Sequence, residues 1–383
     1  MMCGAPTQPN GFCVPGAYKR SGVCQCQDGA PCACPGVGCV DPMTDPDNCG
    51  SCGTKCLPTA TCNGGTCGPP PVVMLPPISG CTGGLTIAAS TGTVYYADGV
   101  QGAIDEVGAG APLATNAKGA TWLQLQGPDL YWYDQGTNTI RKLAGAAGTP
   151  TNVFTPTTTT TFDPTSVDTV GGFLVTPDGL NVYVSVGVNV VKISATTLGG
   201  GTPVVVAGEK LGGLPQALAL DGSAHLVYPA ALNGDVDAAV LGLEPASCGA
   251  EDAMGNLIMD TCARQARGQG ELLPSFMAVI GGKAYWIDGV GVKAETIPPA
   301  GGPGSSFDTI STAQNPVTAA AATTDTIYFA EEGFVEKAPA ALNPELASPI
   351  LLARGQMAPT SIAVDAKRVY WSTADCAISS RSR

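Results

Sequence analysis

The chain has 383 residues, a formal net charge of −13 and a sequence pI near 4.4, and only 13% of its residues are charged. That balance argues against a nucleic-acid binder, which needs a basic stripe to displace counterions from phosphate, and against docking on anionic lipid. The length allows two or three domains, and no apolar run approaches the roughly 20 residues that a membrane helix requires.

The first region is defined by cysteine. Twelve of the sixteen cysteines lie within residues 3–67, and the others are Cys81, Cys248, Cys262 and Cys376. So dense a cluster suits an oxidising compartment, where disulfides replace a core too small to hold a fold. The expected location is therefore extracellular or the outer cell surface. The opening Met-Met-Cys-Gly shows neither a basic n-region nor an apolar h-region, so no signal peptide is visible in this chain. Cys3 is the candidate acylated cysteine of a lipoprotein, although no lipobox precedes it. Residues 1–68 lack aliphatic periodicity and read as a disulfide module with short hairpins at most. Cys49-x2-Cys52 and Cys62-x4-Cys67 have spacings that zinc tolerates. Mixed short spacings in a Gly- and Pro-rich background fit disulfides better, so no metal is assigned and the connectivity stays open. Residues 69–80, with "PPPVVMLPP", form a stiff extended linker and a spare strand.

After residue 80 the texture changes to short apolar runs punctuated by Gly, Pro, Asp and Asn, and one pattern recurs. It reads "TIAASTGTVYYAD", "TWLQLQGPDLYWYD", "GFLVTPDGLNVYVS", "QALALDGSAHLVYPA", "SFMAVIGGKAYWID", "VTAAAATTDTIYFAE" and "TSIAVDAKRVYWST". Each copy has a small-apolar strand, a polar turn and a strand carrying tyrosine. The anchors Tyr95, Tyr131, Tyr183, Tyr228, Tyr285, Tyr328 and Tyr370 are spaced by 36, 52, 45, 57, 43 and 42 residues. A third and a fourth run usually follow, as in "NTIRKLAG" and "TPVVVAG". Four strands per unit at this period predict an all-β fold, a seven-bladed β-propeller over residues 81–383, with six blades as the alternative. A β-sandwich of hairpins explains the alternation but not the recurrence.

Blades stack face to face, so both faces of a strand are covered and runs such as "FMAVI" stay apolar throughout. Small first-strand residues (Ala88, Ala89, Ala217, Ala219, Ala278, Ala363) suit the crowded axis, and Tyr or Trp of the second strand suits the wider gap between blades. The last unit lacks a fourth strand, which "PVVMLPP" can supply beside Ile378–Arg381, removing two open edges. Cys81, before the first unit, and Cys376, after the last second strand, then fall on one face in adjacent blades and are predicted to be bridged. Cys248 and Cys262 are predicted to staple the insertion between Tyr228 and Tyr285. The run "TPTTTTTFDPTS" (155–166) reads as a polar loop.

These words carry a family resemblance. "YYAD", "YWYD", "YWID" and "YFAE" resemble the Tyr-Trp-Thr-Asp repeat of low-density-lipoprotein-receptor-type propellers, and "ARGQMAPTSIAVDAKRVYWST" resembles TolB-type propeller repeats. "DPDNCGSCGTKC" is similar to a cysteine-rich module of myxobacterial surface proteins. The resemblance covers residues 41–67 and about 86–375 and implies extracellular binding. It weakens at Tyr183 and Tyr228, where the acid is missing. Receptor-type relatives have six blades, one fewer than the units counted here.

The chemistry is sparse. The single histidine, His225, is placed in a turn, and no G-x-S-x-G elbow or H-E-x-x-H helix surrounds it. No catalytic residue is assigned. The remaining candidates are Asp98, Asp134, Asp288, Glu331 and Asp375, at or just past the ends of second strands and so on one face. They are candidate ligand or cation sites, for Ca²⁺ or for a basic partner. The competing role is that each acid accepts hydrogen bonds from its own turn, which is what the matching Asp does in receptor-type propellers. No cofactor is expected beyond that Ca²⁺. The reading is a monomeric, non-enzymatic surface or secreted protein that recognises a protein or glycan with one propeller face. The alternative is a Ca²⁺-dependent hydrolase or lyase using carboxylates.

Overall fold

The computed structural model describes residues 43–79, 85–146, 148–156, 170–187, 189–197, 201–208, 217–221, 225–230, 235–240, 265–267, 276–287, 291–296, 308–312, 315–340 and 349–383, with two short strands before them, Ala33–Cys34 and Gly38–Cys39. Contacts divide the chain into two compact units, Met1–Val72 with Leu351–Gln356, and Val73–Ile350 with Met357–Arg383.

Among the described residues of the N-terminal unit, the buried apolar cluster is small and made mostly of cysteine: Cys49, Cys56 and Cys62 with Ala60. Cys49 is bonded to Cys62 and Cys56 to Cys67, and these bridges flank the hairpin Cys62–Asn63/Thr66–Cys67. Closing loops of 13 and 11 residues contributes about 3 kcal/mol each by constraining the unfolded chain. The motif "DPDNCGSCGTKC" is a set of polar turns. Asp45 Oδ1 accepts the Asp47 N–H, and Asn48 Oδ1 accepts the Gly53 N–H at 2.8 Å. Gly50 has φ +75°, and a Cβ there would lie 2.5 Å from the Gly65 carbonyl oxygen, so no side chain fits.

The larger unit is all β, as expected. The described residues from Val72 onward form seven four-stranded antiparallel sheets. Sheet 1 is Thr86–Ser90, Thr93–Asp98, Ala103–Glu106 and Ala114–Thr115. Sheet 2 is Ala120–Gln126, Asp129–Asp134, Thr139–Leu143 and Thr151–Phe154. Sheet 3 is Val170–Val175, Asn181–Val186, Asn189–Ser194 and Val204–Gly208. Sheet 4 is Ala219–Asp221, His225–Ala230, Asp235–Val240 and Gln265–Arg267. Sheet 5 is Phe276–Ile280, Lys283–Ile287, Gly291–Thr296 and Asp308–Thr312. Sheet 6 is Val317–Ala322, Thr326–Glu331, Gly333–Pro339 and Ile350–Gln356. Sheet 7 is Pro359–Val364, Arg368–Thr373, Ile378–Ser382 and, returning to the front of the chain, Val72–Leu75 beside Ile378–Ser382.

Apart from the returning strand of sheet 7, the strands run in sequence order within each sheet, and successive sheets pack on one another as in a β-propeller. Neighbouring residues on a strand point to opposite faces, so each "YW" pair serves two interfaces. Tyr131 lies in the cluster shared with sheet 3, while Trp132 lies in the cluster shared with sheet 1. Tyr285 faces sheet 6 and Trp286 faces sheet 4. All four side chains are fully buried. Tyr370, Ile378 and Cys376 pack with Leu85, Ile87 and Val94, which joins sheet 7 to sheet 1.

Polar joints add to this packing. Gln124 of sheet 2 imitates a strand: its Nε2 donates to the Phe173 carbonyl at 2.6 Å and its Oε1 accepts the Val175 N–H at 3.1 Å, both in sheet 3. Ser372 of sheet 7 donates to the Leu85 carbonyl at 2.6 Å, and Thr318 of sheet 6 donates to the Pro359 carbonyl at 2.6 Å.

Candidate functional site

Of the expected acids, Asp98, Asp134 and Glu331 end second strands and Asp375 follows one. Asp98 and Asp134 are the last residues of their second strands and are almost fully buried. A buried carboxylate must be hydrogen-bonded, and the bend after each strand frees backbone N–H groups that need an acceptor. Asp98 Oδ1 accepts from the N–H groups of Val100 (3.0 Å) and Gln101 (2.9 Å). Asp134 Oδ1 accepts the Thr137 N–H at 3.2 Å, and its Oδ2 pairs with Arg141 Nη1 at 3.3 Å. Asp375 Oδ1 accepts from Thr373 Oγ1 at 2.6 Å and from the Ala377 N–H at 3.3 Å. These three carboxylates therefore spend oxygens on their own turns. Asp288 lies outside the described residues, as do Cys3, Cys81, Cys248 and Cys262.

Glu331 behaves differently. Fully buried at the end of its second strand, it accepts the Asn315 N–H through Oε2, while its Oε1 has no hydrogen-bond partner among the described residues.

The sequence patterns did not single out Trp122. It sits near the entry end of the first strand of sheet 2, where the pairing slips between Thr121 and Gln124. Irregularities recur near the entry end of the first strand in sheets 3, 6 and 7, one residue earlier in the ladder than in sheet 2. In sheet 2 the slip turns out a large aromatic. Trp122 has φ +51°, is 36% exposed, and stacks on Tyr133 with ring centroids 5.2 Å apart and planes 15° apart. Tyr133 is itself fixed, donating from its hydroxyl to Asn138 Oδ1 at 2.7 Å. Val100, in the turn after the second strand of sheet 1, and Met357, in the turn entering sheet 7, are also exposed. A left-handed conformation costs a non-glycine residue about 1–2 kcal/mol. Trp122→Gly is accordingly expected to be more stable than Trp122→Ala by about 1 kcal/mol in urea unfolding. Equal midpoints would show that the backbone there is unstrained. The signal available in the sequence was a Trp in a strand type that elsewhere among the described sheets carries none.

His225 begins the second strand of sheet 4, paired with Asp221 and Val240, rather than lying in a turn. The alternation of "HLVYPA" starts at the histidine itself. The described first strands carry one acid, Asp221, and no basic residue. In the N-terminal unit, Cys49, Cys56 and Cys67 bring their sulfurs within 4.8 Å of one another. Those sulfurs are committed to the two bridges, and Cys52 is also disulfide-bonded, so none is a thiolate ligand.

No protein-family model matches the chain, and no curated protein matches it. Solved structures do. A streptogramin B lyase is similar with a TM-score of 0.57 at 15% identity, over 82% of this chain and 97% of that one. The likeness shows the fold alone. The computationally designed Ika8 protein is similar at a TM-score of 0.50 and 12% identity, over 82% of this chain and all of that one. PorZ, an essential bacterial surface component of the type-IX secretion system of Porphyromonas gingivalis, is similar at 0.51 and 11% identity, over 80% of this chain and 38% of that one. The chain thus spans little more than a third of PorZ.

Proposed function

We propose that this chain is a non-enzymatic binding protein of the extracellular space or outer cell surface, monomeric, whose loop face recognises a protein or a glycan. The observation that carries the reading is Trp122, an exposed aromatic on strained backbone, backed by a stacked and hydrogen-bonded tyrosine. Strain of this kind persists where the surroundings over-determine it, and it clusters at ligand sites. A rigid aromatic plane fits the apolar face of a sugar ring or a flat side chain and loses little entropy on binding. Export is supported by the disulfides of the N-terminal unit and by the surface role given to PorZ.

We read the seven sheets as the seven blades of one ring. Contact between sheets 3 and 4 runs through Tyr183, Val190, Leu218 and Leu226, and contact between sheets 7 and 1 through Tyr370, Ile378 and Ile87. A carboxylate-based hydrolase or lyase is less well supported, since the described first strands lack both a cluster of acids and a base.

The test is a glycan and peptide array probed with the full chain and with Trp122→Ala. Binding that falls at least tenfold in the variant, with unchanged circular dichroism, supports the reading. Binding that survives the substitution removes Trp122 from the site, and an array without hits removes the reading itself.

A further inference from the structure

We propose that Glu331 and Glu336 together hold one hard divalent cation of the Ca²⁺ class, inside the interface between sheets 5 and 6. The second and third strands of sheet 6 pair Phe329 with Glu336 and Glu331 with Phe334. Residues paired across strands share a face, as do residues two apart along a strand. Glu331 and Glu336 therefore stand diagonally on the face that also carries Ile327, Phe329 and Ala338. That face packs against Tyr285, Ile287, Val292 and Ala294 of sheet 5.

Two acids are thus set into an apolar interface. Glu331 is 0% exposed and Glu336 is 7% exposed. Glu331 Oε1 and Glu336 Oε2 are both buried, and neither has a hydrogen-bond partner among the described residues. Among the described residues, the Asn315 N–H donates to Glu331 Oε2. Nearby lysines do not balance the charge. Lys337 is paired with Tyr328 and Lys293 with Trp286, which puts both on the opposite faces of their strands. Lys283 shares the face of Tyr285 but stands at the far end of its strand.

Two uncompensated carboxylates in a low-dielectric interface are unfavourable by several kcal/mol, and only a proton or a cation relieves that. Burial, and then the neighbouring Glu331, push the Glu336 carboxyl up to about 7. A donor set made only of carboxylate oxygen selects a hard cation, and Ca²⁺ accepts irregular geometry and completes its shell with carbonyls or water. Asp98, Asp134 and Asp375 belong to no such site, since each satisfies its own turn.

This inference is independent of the loop-face reading and is tested apart from it. The full chain is stripped with a chelator and melted at pH 7.5 with CaCl₂, MgCl₂ or MnCl₂ from 0 to about 5 mM, beside Glu331→Gln, Glu336→Gln and the control Asp375→Asn. The expected result is a Tm rise of about 3–8 °C with Ca²⁺. It should be absent in both glutamine variants and retained in Asp375→Asn. Calorimetry should give one Ca²⁺ per chain. No shift with any of the three cations overturns the proposal, and so does a Ca²⁺ shift that persists in Glu336→Gln. Glutamine is isosteric and neutral, so both variants are expected to fold, which circular dichroism checks.

Discussion

Replacing Cys376 by serine is expected to lower the unfolding free energy by about 3–5 kcal/mol. Cys376 is fully buried, disulfide-bonded, and held at φ +65° in the turn after the second strand of sheet 7. Its N–H donates to the Thr373 carbonyl at 2.8 Å, so the turn itself is sound and the loss falls on the bridge. The pairing expected from sequence is with Cys81. Non-reducing peptide mapping should recover those two peptides linked, and the Cys81→Ser/Cys376→Ser double variant should be no less stable than the single one. A peptide linking Cys376 to another cysteine would break the expected closure. A midpoint shift worth under about 1 kcal/mol would show that the bridge adds little to stability.

The second large effect is expected at Asp365, in the turn between the first two strands of sheet 7. Its Oδ1 accepts the N–H groups of Lys367 (2.7 Å) and Arg368 (2.8 Å), and its Oδ2 accepts the Gly92 N–H (2.7 Å) and the Tyr370 hydroxyl (2.9 Å). Gly92 belongs to the corresponding turn of sheet 1, so a single carboxylate joins two sheets. Burial alone would raise its pKa, but these hydrogen bonds outweigh burial and hold it below the ordinary value of 3.8. Tyr370 is pushed up to about 12, first by its own burial and then by Asp365. A carboxyl depressed on folding stabilises the protein above its unfolded pKa, and that contribution is lost as pH falls through the folded value. Asp365→Ala is therefore expected to cost about 2–3 kcal/mol at pH 7 and clearly less near pH 2. Urea unfolding at the two pH values measures this. An equal cost at both would mean that the carboxylate charge is irrelevant.

The architecture was legible because the repeat is periodic in the way a propeller needs. In six of the seven second strands the anchor tyrosine is the third residue. Strand, turn and aromatic therefore announce themselves together. The cysteine module was legible as disulfide-bonded, but its pairing was not, because many connectivities satisfy the same spacings. The candidate site was harder to read. An acid at the end of a strand looks the same in sequence whether it faces a ligand or caps its own turn, and only burial and hydrogen bonds separate Asp98 from Glu331. Glu336 was missed because "GFVEKAP" places it mid-strand, where charged residues usually face water. Trp122 was missed because an extra residue in a strand has no signature of its own. The joint at Asp365 draws on residues more than 270 positions apart, a distance over which local patterns carry no information.

Sheet 7 takes its outermost strand, Val72–Leu75, from upstream of every other strand of the larger unit, and pairs it with Ile378–Ser382 at the end of the chain. On a ribosome that emits residues one way, this segment emerges early and waits until some three hundred more have been made. Meanwhile Val72 and Val73, 54% and 60% exposed even in the finished molecule, belong to an unpaired ribbon open to other chains. The synthesis of Ile378–Ser382 thus decides whether the nascent product becomes one molecule or a tangle of several.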